Sequence, residues 1–198
     1  MSGLTRILVL GGLVLAAVLV FGSPCLLRGW MRKLAGVALG VLVLCATSLL
    51  GYGAYRRWLD DVRVANVNTI YQVIERYKET TGKCPLQERF ADAPMGVNIS
   101  DRPLPDRYKR PPPGAKGSII PYEDFLAELR TGLKSEVILS KDPQTVPFGP
   151  PNFYQYHFTG PHFFVAASLW FDRAGVKQLG SRYYKYELRG DCGSSGKA

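Results

Sequence analysis

The sequence predicts an α+β protein: two transmembrane helices, the second continuous with an amphipathic stalk helix that packs on a small antiparallel sheet. Three features of the chain predict it. Two uncharged apolar runs, residues 7–27 and 34–55, lie close together near the N-terminus. The second passes without interruption into a charged stretch that keeps helical spacing of its apolar residues. The last third alternates aromatic and β-branched runs with Gly, Pro and Asp turns. Residues 1–55 are thus expected to form a membrane anchor and residues 56–198 a soluble α+β head, which suits a chain of 198 residues.

Residues 34–55 (LAGVALGVLVLCATSLLGYGAY) follow Arg32 and Lys33 and carry no charge. Some twenty apolar residues at about 1.5 Å rise each match the roughly 30 Å hydrocarbon thickness of a bilayer. Beyond Arg56-Arg57, the residues Val67, Ile70, Ile74 and Tyr77 recur three or four apart and define one apolar face. Arg63, Asn66, Glu75, Arg76, Lys78 and Glu79 are left for water or polar neighbours. Gly82 and then Pro85 supply the stop.

Residues 7–27 read as a retained first span. A signal peptide is the alternative, with Arg6 as its basic start, but Pro24 follows the cleavage region at once and no small-x-small pattern precedes it. Gly12 and Ala16 in this span, and Gly36 and Gly40 in the next, have the spacing that lets helices pack closely in lipid. Positive charge does not set the orientation: Arg28, Arg32 and Lys33 in the connector balance Arg6, Arg56 and Arg57 on the other side. A short N-terminal tail and a candidate disulfide in the head favour a cytoplasmic connector and a periplasmic head in a bacterial inner membrane.

Residues 86–117 read as loop, with Asp101-Arg-Pro-Leu-Pro-Asp106 and Arg110-Pro-Pro-Pro-Gly114 and the cations Arg107, Lys109 and Arg110. Proline runs favour extended polyproline geometry and do not pair as central strands. Such a loop serves as a docking ligand, as a basic contact, or simply as a solvated excursion. A short helix follows Pro121: Glu123 and Asp124 stand in its first turn, Arg130 and Lys134 at its end, and Phe125, Leu126, Leu129 and Leu133 form its stripe. Residues 153–158, 162–171 and 181–188 read as antiparallel strands, the middle one apolar enough to be central.

Charge and cysteine usage narrow the function classes. The net charge is +9, and four of the 25 cations (Arg6, Arg28, Arg32, Lys33) fall in residues 1–55, which hold no acid. The head therefore carries 21 cations against 16 acids. It lacks the basic stripe with interleaved aromatics of a nucleic-acid binder, and no nucleic-acid partner is expected. Cys25 and Cys45 fall in or beside the apolar runs, whereas Cys84 and Cys192 belong to the head and form a candidate disulfide. No catalytic, phosphate-binding or dinucleotide motif is present. His157 and His162 flank a turn at Thr159-Gly160-Pro161 without a Cys or carboxylate partner nearby in sequence, too few ligands for a metal. Asp60-Asp61 and Glu123-Asp124 are helix neighbours that point apart. The expectation is a protein without catalytic residues, cofactor or metal.

The order of parts resembles a type IV pilin or type II secretion pseudopilin. Tyr77-Lys-Glu-Thr-Thr-Gly82-Lys-Cys-Pro85 resembles the helix exit of those families, Pro147-Phe-Gly149 with Phe153-Tyr-Gln-Tyr156 the opening of their sheet, and Phe163-Phe-Val-Ala-Ala-Ser168 the following strand. The resemblance implies a helix that anchors in the membrane and packs against a sheet. The chain departs from it in three ways: no prepilin peptidase site precedes the second span, no glutamate stands early in that span, and residues 7–27 are an addition. The expected function is binding. The partners are the lipid bilayer and another protein, either a component of an envelope or secretion machine or, for a membrane-anchored immunity protein, a secreted toxin. The expected partner surface is Tyr154, Tyr156, Tyr183, Tyr184 and Tyr186 with Arg107, Lys109 and Arg110, because exposed Tyr and Arg anchor interfaces.

Overall fold

A computed structural model of the chain describes residues 29–89, 94–100, 104, 106, 117–143, 151–173, 177–179 and 183–192. The predicted first span (7–27), the loop cations Arg107, Lys109 and Arg110, and the tail after Cys192 lie outside the described residues. The chain divides into two compact units, Met1–Tyr55 and Arg56–Ala198.

The first helix, α1 (Gly29–Thr81), is one element of 53 residues. Among the described residues, one helix rather than the two expected is long and apolar enough to cross a membrane. Among the described residues its apolar part is largely exposed, with Val37, Leu42, Leu44 and Leu49 all at least 65% exposed. The hydroxyl of Thr47 donates back to the carbonyls of Val43 (2.9 Å) and Leu44 (3.0 Å), so that hydroxyl is met within the helix.

In the second unit α1 becomes one-sided. Leu59, Val67, Ile70, Ile74 and Tyr77 are buried, at the three- and four-residue spacing that puts them on one face. Gly82, at φ +74°, ends the helix in the left-handed region that glycine adopts without strain, and its N–H donates to the Lys78 carbonyl at 2.7 Å.

The sheet has six strands: β1 (Met95–Ile99), β2 (Ser118–Ile120), β3 (Tyr154–Thr159), β4 (His162–Leu169), β5 (Lys177–Leu179) and β6 (Tyr183–Asp191), in the order β2-β1-β3-β4-β6-β5. It corrects the expected antiparallel sheet, because β1 and β2 are parallel, with Met95 opposite Ser118 and Val97 opposite Ile120. It also corrects the reading of residues 86–117 as loop throughout. Met95, Val97 and Ile99 alternate inward and pair antiparallel with β3, so β1 is an internal strand, while the proline-rich part of the segment falls after it. The central strand is β4, between β3 and β6, as its apolar content predicts.

The second helix, α2 (Tyr122–Leu133), follows Pro121 and buries Phe125, Leu126 and Leu129. It crosses close to α1 through Gly132, where a Cβ would lie 2.1 Å from the Tyr77 ring. One core joins the α1 face, α2 and the inward side chains of β1, β3 and β4, including Tyr154, Tyr156, Phe158, Phe163 and Val165. Beside it Cys84, just past α1, is bonded to Cys192, just past β6, with Cα atoms 5.2 Å apart and both residues buried. The bridge ties the exit of the long helix to the last strand.

Candidate functional site

The tyrosines proposed from sequence as a partner surface divide between the two faces of the sheet. Tyr154 and Tyr156 are fully buried on the side that meets α1. The two-residue period of β3 sends 154, 156 and 158 to one face, and that face is the core. Each hydroxyl has a partner: Asn66 donates to Tyr154 at 2.8 Å, and Tyr156 donates to the Pro85 carbonyl at 3.0 Å. Burial raises both phenol pKa values above the ordinary 10, so both stay protonated. These two are core residues and no part of a binding surface. Tyr186 is half-buried against the core, its hydroxyl 3.5 Å from Asn68 Oδ1. Tyr183 and Tyr184 are half-exposed, Tyr183 edge-on to Trp170 with ring centroids 5.7 Å apart.

The face turned away from α1 carries a cluster that sequence reading did not pick out. Phe164 lies at its centre. The His157 ring stacks on it at 4.8 Å between centroids, and Lys185 Nζ stands 4.2 Å from the ring centroid. Glu187 lies between Lys185 and Arg189 and pairs with both, at 2.5 Å to Arg189. Burial first, then the positive charge of Lys185, lowers the His157 pKa below 6.5, with Glu187 opposing. Burial raises the Glu187 pKa, but hydrogen bonds and charge from Lys185 and Arg189 outweigh it, and the net shift is downward. Next to the cluster lies an open depression of about 270 Å³ lined by Pro151, Phe153, Gln155, Ala166, Ser168 and Lys185. The signal for this face was the alternation itself: once 154, 156 and 158 point inward, 155 and 157 must point out.

A second polar group sits where α1 enters the head. Arg63 is fully buried, and of the two settings expected for it, water or polar neighbours, it has the second. It donates to both carboxylate oxygens of Asp142 (2.7 and 3.0 Å) and to the Ser168 carbonyl (3.1 Å). Asp60, also fully buried, accepts from the backbone N–H groups of Trp170 and Phe171 at 3.0 Å. Burial raises its pKa, against the pull of those two N–H groups and of Arg63 and Arg173. Asp61 instead faces outward and pairs with Arg173 at 2.6 Å, so the two adjacent acids do point apart. The sequence held a cue to Arg63: it stands four residues from both Leu59 and Val67, on the buried stripe.

The histidines lie in different settings. His157 stacks on Phe164, while His162 is exposed and 2.6 Å from Asp191. Among the described residues no three His, Cys, Asp or Glu side chains converge as a metal site would require. The chain matches no family model, no curated protein and no solved structure.

Proposed function

We propose that this is a membrane-anchored, non-enzymatic binding protein with an extracytoplasmic, pilin-like head, serving as an accessory component of an envelope or secretion machine. The observation that carries the reading is α1 itself: one helix supplies both an apolar, uncovered segment of membrane-spanning length and the buried face on which the sheet of the head packs. The Cys84–Cys192 bond fits an oxidising compartment. What the head offers a partner is surface. The depression beside Lys185, about 270 Å³, lies under the roughly 300–1,000 Å³ of small-ligand pockets. The half-exposed Tyr183, which the alternation of β6 puts on the Phe164 face, is the tyrosine placed to meet another protein there.

Cross-linking in intact cells, followed by purification of the full chain from solubilised membranes, tests this reading. Envelope-machine components should be recovered, and Tyr183→Ala with Lys185→Ala should reduce their yield without altering the amount of protein in the membrane. Stoichiometric recovery of one secreted toxin would replace the machine reading with that of an immunity protein. A reporter fused after Lys197 tests compartment: activity from a cytoplasm-only reporter would refute an extracytoplasmic head.

A further inference from the structure

The end of the head nearest in sequence to the apolar segment combines exposed aromatic rings with guanidinium groups. Arg56 and Arg57 follow Tyr55 directly, at the point where the uncharged run stops. The Arg56 guanidinium lies 3.9 Å from the centroid of the Trp170 ring, and that of Arg57 lies 5.3 Å from the Phe171 ring. Trp58 is 52% exposed although it belongs to the wet half of α1, where the other large apolar residues are turned into the core. The acids of this region are Asp60, Asp61 and Asp172. Asp60 is buried and accepts backbone N–H groups; Asp61 is exposed but engaged by Arg173, and Asp172 is exposed beside Phe171.

An exposed indole next to stacked guanidinium groups is poorly suited to bulk water and well suited to the boundary between hydrocarbon and headgroup. Trp and Tyr concentrate there because their rings are apolar and their edges polar. Arg57 is exposed, and an arginine at such a boundary meets a phosphate in bidentate fashion. Chain continuity narrows the choice of partner further, since Arg56 is one residue past the segment of membrane-spanning length.

We infer that Arg57, Trp58 and Phe171, with Arg56 stacked on Trp170, form a seat for phospholipid headgroups of the bilayer in which α1 is anchored. The seat fixes how deep the helix sits, because it marks the residue at which hydrocarbon gives way to phosphate. The inference rests on the membrane-anchored reading, and its test separates the two.

The full chain is reconstituted into vesicles of phosphatidylglycerol and phosphatidylcholine. The fluorescence difference between wild type and Trp58→Phe isolates the Trp58 indole. Trp58 should be quenched more strongly by a nitroxide on the headgroup than by one at the twelfth acyl carbon, and its quenching by acrylamide should fall about threefold relative to indole in water. Arg57→Glu should return acrylamide access. Leu44→Trp on the Trp58→Phe background reports anchoring by itself, and should be quenched by the deep nitroxide. If Leu44→Trp is quenched at depth while Trp58 is open to acrylamide and untouched by the headgroup label, the headgroup seat is refuted and the anchor stands. Strongest quenching of Trp58 by the deep label also refutes it, since the indole then lies in hydrocarbon. If Leu44→Trp escapes the deep label, both readings fail.

Discussion

Replacing Arg63 with methionine removes the guanidinium bonded to both oxygens of Asp142, whose side chain is 4% exposed. The bonds lost include two to that carboxylate and one to the Ser168 carbonyl, and Asp60 loses a nearby positive charge. A surface ion pair of this kind would contribute about 0–1 kcal/mol. Removing one partner of a buried pair costs about 3–5 kcal/mol, most of it from the charge left without compensation. At roughly 3 °C per kcal/mol for a domain of this size, the melting temperature should fall by roughly 10–15 °C. Urea titration of the full chain in mild detergent, followed by near-ultraviolet circular dichroism of the buried tyrosines, measures the loss. Arg63→Lys should recover only part of it, because an ammonium does not make the two-pronged contact. A loss under about 1 kcal/mol for Arg63→Met would place the pair in water and refute the reasoning.

Reduction of Cys84–Cys192, which closes a sequence separation of 108, should cost about 2–5 kcal/mol, and an unchanged urea midpoint with and without reductant would count against the bond. The His157 pKa is depressed in the fold, so its contribution is present above 6.5 and lost as pH falls through the folded value. Urea midpoints measured from about pH 7.5 to 5.5 should therefore decline in wild type and decline less in His157→Gln. Glu187 titrates lower and leaves this window undisturbed. Gly132→Ala places a methyl against the Tyr77 ring and should destabilise the head by about 1–3 kcal/mol, readable as a lower thermal midpoint.

What was legible in the sequence was what local pattern controls. Absence of charge over 34–55, then Val67, Ile70, Ile74 and Tyr77 on one face, is enough to write most of α1. Glu123 and Asp124 before Arg130 mark α2, and aromatic and β-branched runs mark β3, β4 and β6. What was not legible depended on partners far away in the chain. β1 contains Gly96 and Asn98 and lies in a segment crowded with proline and cations. It is a strand because Met95 to Ile99 align with Phe158 to Tyr154, a pairing no local window contains. Tyr154 and Tyr156 lie in the core rather than on the expected surface for a related reason. Composition shows that β3 is aromatic, but only the position of α1 decides which face is wet. A buried tyrosine needs one acceptor or donor for its hydroxyl, and Asn66 and Pro85 supply those from elsewhere.

The placement of the buried ions suggests why an apolar stripe alone would not suffice. Leu59, Val67, Ile70 and Ile74 offer similar shapes at each turn, so a slip of α1 by one turn along the sheet would lose little apolar contact. Asp60 and Arg63 admit no such slip. The first must meet the N–H groups of Trp170 and Phe171, the second both oxygens of Asp142 and the Ser168 carbonyl, and a shift of about 5.4 Å would leave all of these unmet. Replacing the pair together, as Arg63→Met with Asp142→Leu, should therefore restore most of the stability lost in the single variant while leaving Asp60 as the one buried ion of the two that still holds the register. The expected signature is a urea midpoint within about 1 kcal/mol of wild type, with doubled or broadened amide resonances from β4 and β6. A single sharp set of resonances from the double variant would show that side-chain shape together with Asp60 already fixes the register, and would reduce the ion pair to one contact among many.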